Sequence, residues 1–111
     1  MYQIVKVKFP FADNIGKDKP RPALVVTPSF GKYNQLVVAY ITAKLDEKLE
    51  TDLVIDIGDK DFRLTGLRGT SLVKLHRLIT VTPSQLGIVG TLPNERIPEV
   101  MEKLLKVFQL K

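Results

Sequence analysis

Apolar residues come in short bursts along this chain, separated by polar and turn-forming stretches, and the period of each burst predicts its element. Ile4, Val5, Val7 and Phe9 partly alternate with Lys6 and Lys8, and β-branched side chains dominate, which predicts a strand over residues 3–9. Residues 23–26 and 35–42 are continuous apolar runs, the first short enough for a strand buried on both faces. Only the turn PSFGKYN lies between them, so they should be sheet neighbours. Residues 43–50 hold enough Lys, Glu and Leu for a helical turn, residues 52–56 resume the strand pattern, and residues 59–70, with Gly66 and Gly69, predict a crossing loop. Residues 71–75 and 78–81 predict either two strands or one strand bent around His76 and Arg77, and Ile88 and Val89 a weak last strand. The tail changes period. Met101, Leu104, Leu105 and Phe108 recur at three and four, with Val100 and Val107 widening the stripe, which predicts an amphipathic helix over residues 98–110. Asn94 is a candidate N-cap, Glu95 and Glu99 suit the early turns, Lys103, Lys106 and Lys111 the late ones, and Pro98 is tolerated in the first turn. The sum is a mainly β, α+β fold: a small, strongly bent antiparallel sheet or barrel with one C-terminal helix covering a side.

Composition narrows the class. At 111 residues and 44% hydrophobic content, residues 1–111 make one domain of ordinary size. No apolar run reaches membrane-span length, and MYQIVKVKFP lacks the order of a signal peptide, so a soluble, cytoplasmic protein with no membrane partner is expected. With no cysteine and one histidine, disulfides and thiolate metal sites are excluded, and neither a metal nor another cofactor is expected. The net charge of +5 suits a polyanionic partner such as nucleic acid, and residues 60–80 concentrate it: Lys60, Arg63, Arg68, Lys74 and Arg77 face one acid, Asp61.

The familiar catalytic motifs are absent: no GxGxxG, GxxxxGK[ST], HExxH or CxxC occurs, and a lone histidine cannot build the usual nucleophile–base pairs. The carboxylates Asp46, Glu47, Asp59 and Asp61 all sit in polar, solvated stretches. More informative is GKDKPRPALVV, where a polar loop runs into an apolar strand with Arg21 between Pro20 and Pro22. Pro22 drives Arg21 toward extended geometry and Pro20 fixes its own φ, so the backbone under the guanidinium is stiff before any ligand arrives. Two readings stand at this point: a planar donor fork aimed at a phosphate, or a solvated loop arginine. Thr42 ends one apolar run and Ser71 begins another, both places from which a hydroxyl can project off a strand end.

Taken in order, a first strand leading to FPFAD, then KPRPALVV, VVAYIT, GLRGTSLVKLHRLITV and IVGTLPNERIPEVMEKLLKVFQL, the chain resembles the PemK/MazF family of toxins from type II toxin-antitoxin modules over nearly its whole length. The resemblance implies an SH3-like barrel with a C-terminal helix, of the CcdB/Kid/MazF kind, that works as a homodimer and cuts single-stranded RNA without a metal. It implies that Arg21 and Thr42 are catalytic, that the substrate's 2′-OH attacks the adjacent phosphate to leave a 2′,3′-cyclic phosphate and a 5′-OH, and that Ser71 positions the scissile nucleotide. Lys17, Lys19, Ser71, Lys74, His76 and Arg77 become candidate RNA contacts, and Phe11, Phe30 and Tyr33 candidate stacking platforms beside a plain packing role. A cognate antitoxin with an acidic, partly disordered segment is the implied protein partner. Some relatives carry an arginine and an acid where this chain has Lys74 and His76, so base specificity and the acid–base partner of Arg21 stay open. The related CcdB branch, which poisons DNA gyrase by binding, ends in Trp-Gly-Ile, whereas this chain ends VFQLK and has no tryptophan. That non-catalytic alternative, and a peptide-binding adaptor, rank below the nuclease.

Overall fold

A computed structural model describes residues 1–10 and 19–109 of the chain. Among them, six strands form one antiparallel sheet: β1 (Gln3–Val7), β2 (Arg21–Val25), β3 (Leu36–Thr42), β4 (Leu53–Ile55), β5 (Ser71–Val81) and β6 (Gly87–Thr91). Helix α1 (Ile97–Val107) follows, and 3-10 turns occupy Phe62–Thr65, Pro83–Gln85 and Asn94–Arg96. The spatial order β4-β5-β3-β2-β1-β6 is curled into a half-barrel, as the bent-sheet expectation required. The consecutive strands β1, β2 and β3 are also neighbours in the sheet, and β4 and β6 form its edges.

The curl explains why the strands read as unbroken apolar runs. Ile4, Leu24, Ala39, Ile41, Val73 and Leu75 pack on one face with Leu92 and Val100. Their strand neighbours Val5, Val7, Ala23, Val25 and Val38 pack on the other with Phe9 and Val81. A sheet with a core on both faces needs apolar residues at every position. The alternative left open for residues 71–81 resolves as one bent strand. Ala39 pairs with Leu78 but Tyr40 with Lys74, so Leu75, His76 and Arg77 are extra on β5 and the strand bends there.

Three expectations are corrected. Residues 43–50 form no helix; they run through bends and turns, closed by the Leu49 N–H donating to Asp52 Oδ2 at 2.8 Å. The helix, predicted over residues 98–110, runs from Ile97 to Val107, and its buried line is Val100 with Leu104 and Val107 packed beside it, while Met101, Leu105 and Phe108 are exposed. Three- and four-residue spacing alone cannot distinguish these two adjacent stripes. Asn94 opens the 3-10 turn before the helix rather than capping it. Arg96 fixes the helix start instead: it donates to the Val54 carbonyl at 2.6 Å, Asp59 at 3.1 Å and Glu99 at 3.0 Å. Among the described residues no helix is long and apolar enough to cross a membrane.

Edge strand β6 is closed against the Phe62–Thr65 turn by missing side chains. A Cβ on Gly90 would overlap the Thr65 carbonyl, and one on Gly66, at φ 71°, would overlap the Val89 carbonyl. Gly90→Ala is therefore expected to destabilise the protein by about 1–3 kcal/mol, as overpacking does. Gly87→Ala in the same strand, where a Cβ meets nothing within 4 Å, should leave the melting temperature nearly unchanged. Thermal unfolding of the two variants checks the contrast.

Candidate active site

Antiparallel register brings the sequence candidates to one place. Ala23 opposes Tyr40 and Leu24 opposes Ala39 across the β2–β3 ladder. Continuing that register two residues sets Arg21 across from Thr42, and the period of two keeps both on the face that Ala23 and Tyr40 share. Both residues line a cleft of about 870 Å³ that also receives Lys19 and Ser71. Pro20 and Pro22 form its rim on either side of the half-buried Arg21.

The hydroxyls differ in what they have left to offer. Thr42 Oγ1 accepts the Lys44 N–H at 3.1 Å, which fixes the oxygen and leaves the hydroxyl proton for a ligand acceptor. Ser71, buried, donates its hydroxyl to the Gly69 carbonyl at 2.9 Å and so holds the loop wall in place. What Ser71 retains toward a ligand is acceptor capacity alone.

Lys74 lies elsewhere. Its ammonium is buried against Asp52 Oδ2 at 2.7 Å and donates also to the Glu47 carbonyl at 2.9 Å, so the lysine tethers the 43–51 segment to β5. His76 is exposed on the β5 bend and does not line the cleft. Arg77 stacks its guanidinium 4.8 Å from the Tyr40 ring centre, and Tyr40 meets Phe9 edge-on at 5.0 Å. Phe30 and Tyr33 are exposed in the β2–β3 turn, away from the cleft lining. Lys17 and Phe11 lie outside the described residues.

Sequence reasoning missed Lys6 and Arg68 as cleft residues. Lys6 looked like the polar half of an alternating strand. Arg68 sits between Gly66 and Gly69 in GLRGTS, a loop signal that marked its flexibility and not its destination. The described lining therefore carries four cations, Lys6, Lys19, Arg21 and Arg68, and no carboxylate, with Leu67, Ile88 and Val89 as apolar wall. Such a cleft focuses positive potential on an anionic ligand while offering surfaces for flat apolar groups. No cluster of three or more histidine or carboxylate side chains suited to a metal ion occurs among the described residues.

The comparisons with known proteins agree with this architecture. The sequence profile of the PemK-like, MazF-like toxin of type II toxin-antitoxin systems matches residues 1–108. A Mycobacterium tuberculosis toxin, MazF-mt6, superposes with a TM-score of 0.74 at 24% identity, covering 98% of each chain. A mycobacterial endoribonuclease solved with its cognate antitoxin gives 0.69 at 15% identity, covering 99% of this chain and 94% of that one. MazF from the MazE-MazF structure of Deinococcus radiodurans gives 0.67 at 18%, covering 96% and 91%. At such identities the superpositions speak for the fold. A search of curated protein sequences returns no match.

The buried pair yields a stability contrast. Asp52→Ala leaves the Lys74 ammonium buried without its carboxylate and should lower stability by about 3 kcal/mol. His76→Ala, at an exposed position, should stay within about 0.5 kcal/mol of the parent. Urea unfolding of both variants measures the difference.

Proposed function

This chain belongs to the PemK-like, MazF-like family of toxin-antitoxin toxins, a family of endoribonucleases, and from that premise we propose that it cuts single-stranded RNA in the cleft between β2, β3 and β6. The observation that carries the reading is the convergence of Arg21 and Thr42 on one cationic cleft with no carboxylate among its described lining residues.

In the proposed reaction the nucleophile belongs to the substrate. The 2′ oxygen forms a bond to the adjacent phosphorus as the P–O5′ bond breaks, giving a 2′,3′-cyclic phosphate; the 2′ proton is lost and the departing 5′ oxygen gains one. Negative charge grows on the non-bridging oxygens in between. Arg21 stabilises that charge with its guanidinium fork, pre-aimed by the flanking prolines. It acts chiefly as an electrostatic clamp, since a guanidinium is a poor base. Thr42 donates its hydroxyl proton to one of the same oxygens, and Lys6, Lys19 and Arg68 hold neighbouring phosphates. Ser71 acts through the Gly69 loop, shaping the seat of the scissile nucleotide. With the attacking group supplied by RNA, the protein's task reduces to orientation and charge stabilisation.

The same reading assigns a cytoplasmic homodimer held in check by an antitoxin whose acidic segment covers the cationic cleft. Support for the partner comes from the Deinococcus relative, solved with MazE. Titrating in the product of the neighbouring antitoxin gene should abolish cutting, and sedimentation should give twice the chain mass; undiminished cutting or a monomer rejects the respective assignment.

The central test is cleavage of a labelled single-stranded RNA pool in EDTA. Parent protein should release fragments with 2′,3′-cyclic phosphate and 5′-OH ends. Arg21→Ala and Thr42→Ala should each reduce kcat by about a hundredfold or more while the melting temperature holds, as expected for loss of a transition-state contact. Cutting that persists undiminished in a folded Arg21→Ala protein removes Arg21 from the mechanism.

A further inference from the structure

The cationic cleft continues past Lys6. A second groove of about 530 Å³ shares Lys6, Pro20 and Gly87 with it and runs on past Lys8 to Ser84 and Gln85. No carboxylate lines this groove among the described residues either. A strand of RNA seated in the first cleft therefore has a continuous path into the second, with Lys6 of β1 and Lys8 just after it alongside.

The far wall is unusually well fixed for an exposed turn. Gln85 Oε1 accepts the Thr82 backbone N–H at 2.7 Å and the Thr82 hydroxyl at 3.1 Å, while the Thr82 and Ser84 hydroxyls lie 3.2 Å apart. Pro83 locks the backbone between them. Because a backbone N–H can only donate, the oxygen of the Gln85 amide must face Thr82, and the orientation of the amide is decided by chemistry. Both carbonyl lone pairs are then occupied. What Gln85 has left is its NH₂, a donor-only group held in a fixed plane at the groove wall.

We propose that this groove is a base-reading subsite for a nucleotide flanking the cut, and that Gln85 is its specificity-determining residue, selecting the keto bases guanine and uracil over adenine and cytosine. The inference rests on the endoribonuclease reading above. The selection requires that the base be read at its exocyclic position. There guanine O6 and uracil O4 present acceptors to the Gln85 NH₂, whereas adenine N6 and cytosine N4 present donors that would face it unpaired, and the ring acceptors of adenine and cytosine lie to the side of that position. Lys6 and Lys8 hold the phosphates that deliver the base, without regard to its identity.

The test uses binding, so that it does not depend on cutting. Short single-stranded oligonucleotides carrying 2′-O-methyl groups lack the nucleophilic hydroxyl and remain intact; they are made degenerate except for one position fixed as G, U, A or C. By fluorescence anisotropy the full-length protein should favour G and U at one position by about fivefold, the scale of one neutral hydrogen bond. Gln85→Glu keeps one carboxylate oxygen for the Thr82 N–H, as in the ordinary capping box, but presents an acceptor where the NH₂ stood. It should invert the preference to A and C at that same position, and Gln85→Ala should flatten it. A Gln85→Glu protein with parental melting temperature that still prefers G and U, or a parent with no base preference at any position, overturns the assignment. Inverted binding preference in a protein that cuts no unmodified RNA would sink the endoribonuclease reading and leave the subsite standing.

Discussion

The pairing of β2 with β3, Ala23 opposite Tyr40, is the constraint from which the site follows. Side chains alternate faces along a strand, so a slip of one residue in this ladder would turn Leu24 and Val25 to the wrong faces and uncouple Arg21 from Thr42 together. Each large apolar side chain withdrawn from water contributes about 1.5–3 kcal/mol. Ala23, Leu24, Val25, Val38 and Ala39 are all buried at the ladder, so the alternative registers are heavily disfavoured. The core thus sets the spacing of the two polar residues at its margin. Neither Arg21 nor Thr42 needs a contact with the other to be held in place.

Charge is sorted as firmly as the strands are. A net charge of +5 is modest for a chain of this length, yet the described lining of the cleft holds four cations and no acid, while several of the described acids are engaged elsewhere. Asp52 is buried against Lys74, Asp59 and Glu99 hold Arg96, and Asp56 Oδ1 and Asp59 Oδ2 accept backbone N–H groups in the turn after β4. Most of these ties also anchor a loop or the helix, so contacts that stabilise the fold also hold these carboxylates away from the cleft. Of the cations in the segment 60–80, only Arg68 lines the cleft; Lys74 is spent on the fold and Arg77 on the Tyr40 ring.

That division shows where the sequence was legible. Strands β1 to β3 and β6 were readable because β-branched runs bounded by Pro, Gly and Asn have few other solutions, and the stiff Pro-Arg-Pro entrance marked Arg21 by local chemistry alone. Thr42 and Ser71 were marked as strand ends, but their meeting depends on non-local register, which no spacing encodes. Lys74 and Lys6 look alike as polar residues amid apolar ones, and only the three-residue bulge opposite Ala39 and Tyr40 decides that Lys74 faces Asp52. The helix was readable in kind and near its bounds, while the choice between the Val100 and Met101 stripes belongs to the sheet that it packs on. The glycine contacts that close β6 were invisible, because a glycine chosen for close approach and one chosen for a turn read the same.

Pro22 is where the demands of fold and site meet. β2 is an inner strand of the sheet, a place from which proline is ordinarily excluded because it removes a ladder donor and hinders its neighbours. Here the ladder to β3 runs from Ala23 to Val25, so the proline falls just before it, while Lys6 and Val7 of β1 still pair with Pro22 and Arg21 on the other side. The sheet gives up hydrogen bonding at one corner, and that corner is the rim of the cleft. In return the arginine stands on a backbone whose freedom is already restricted in the unfolded chain, so less backbone entropy is lost when the fold sets it at the mouth of the cleft. A local rule of strand construction is broken at the one place where a rigid cation faces the cleft, which is the pattern expected where binding rather than folding has set the residue.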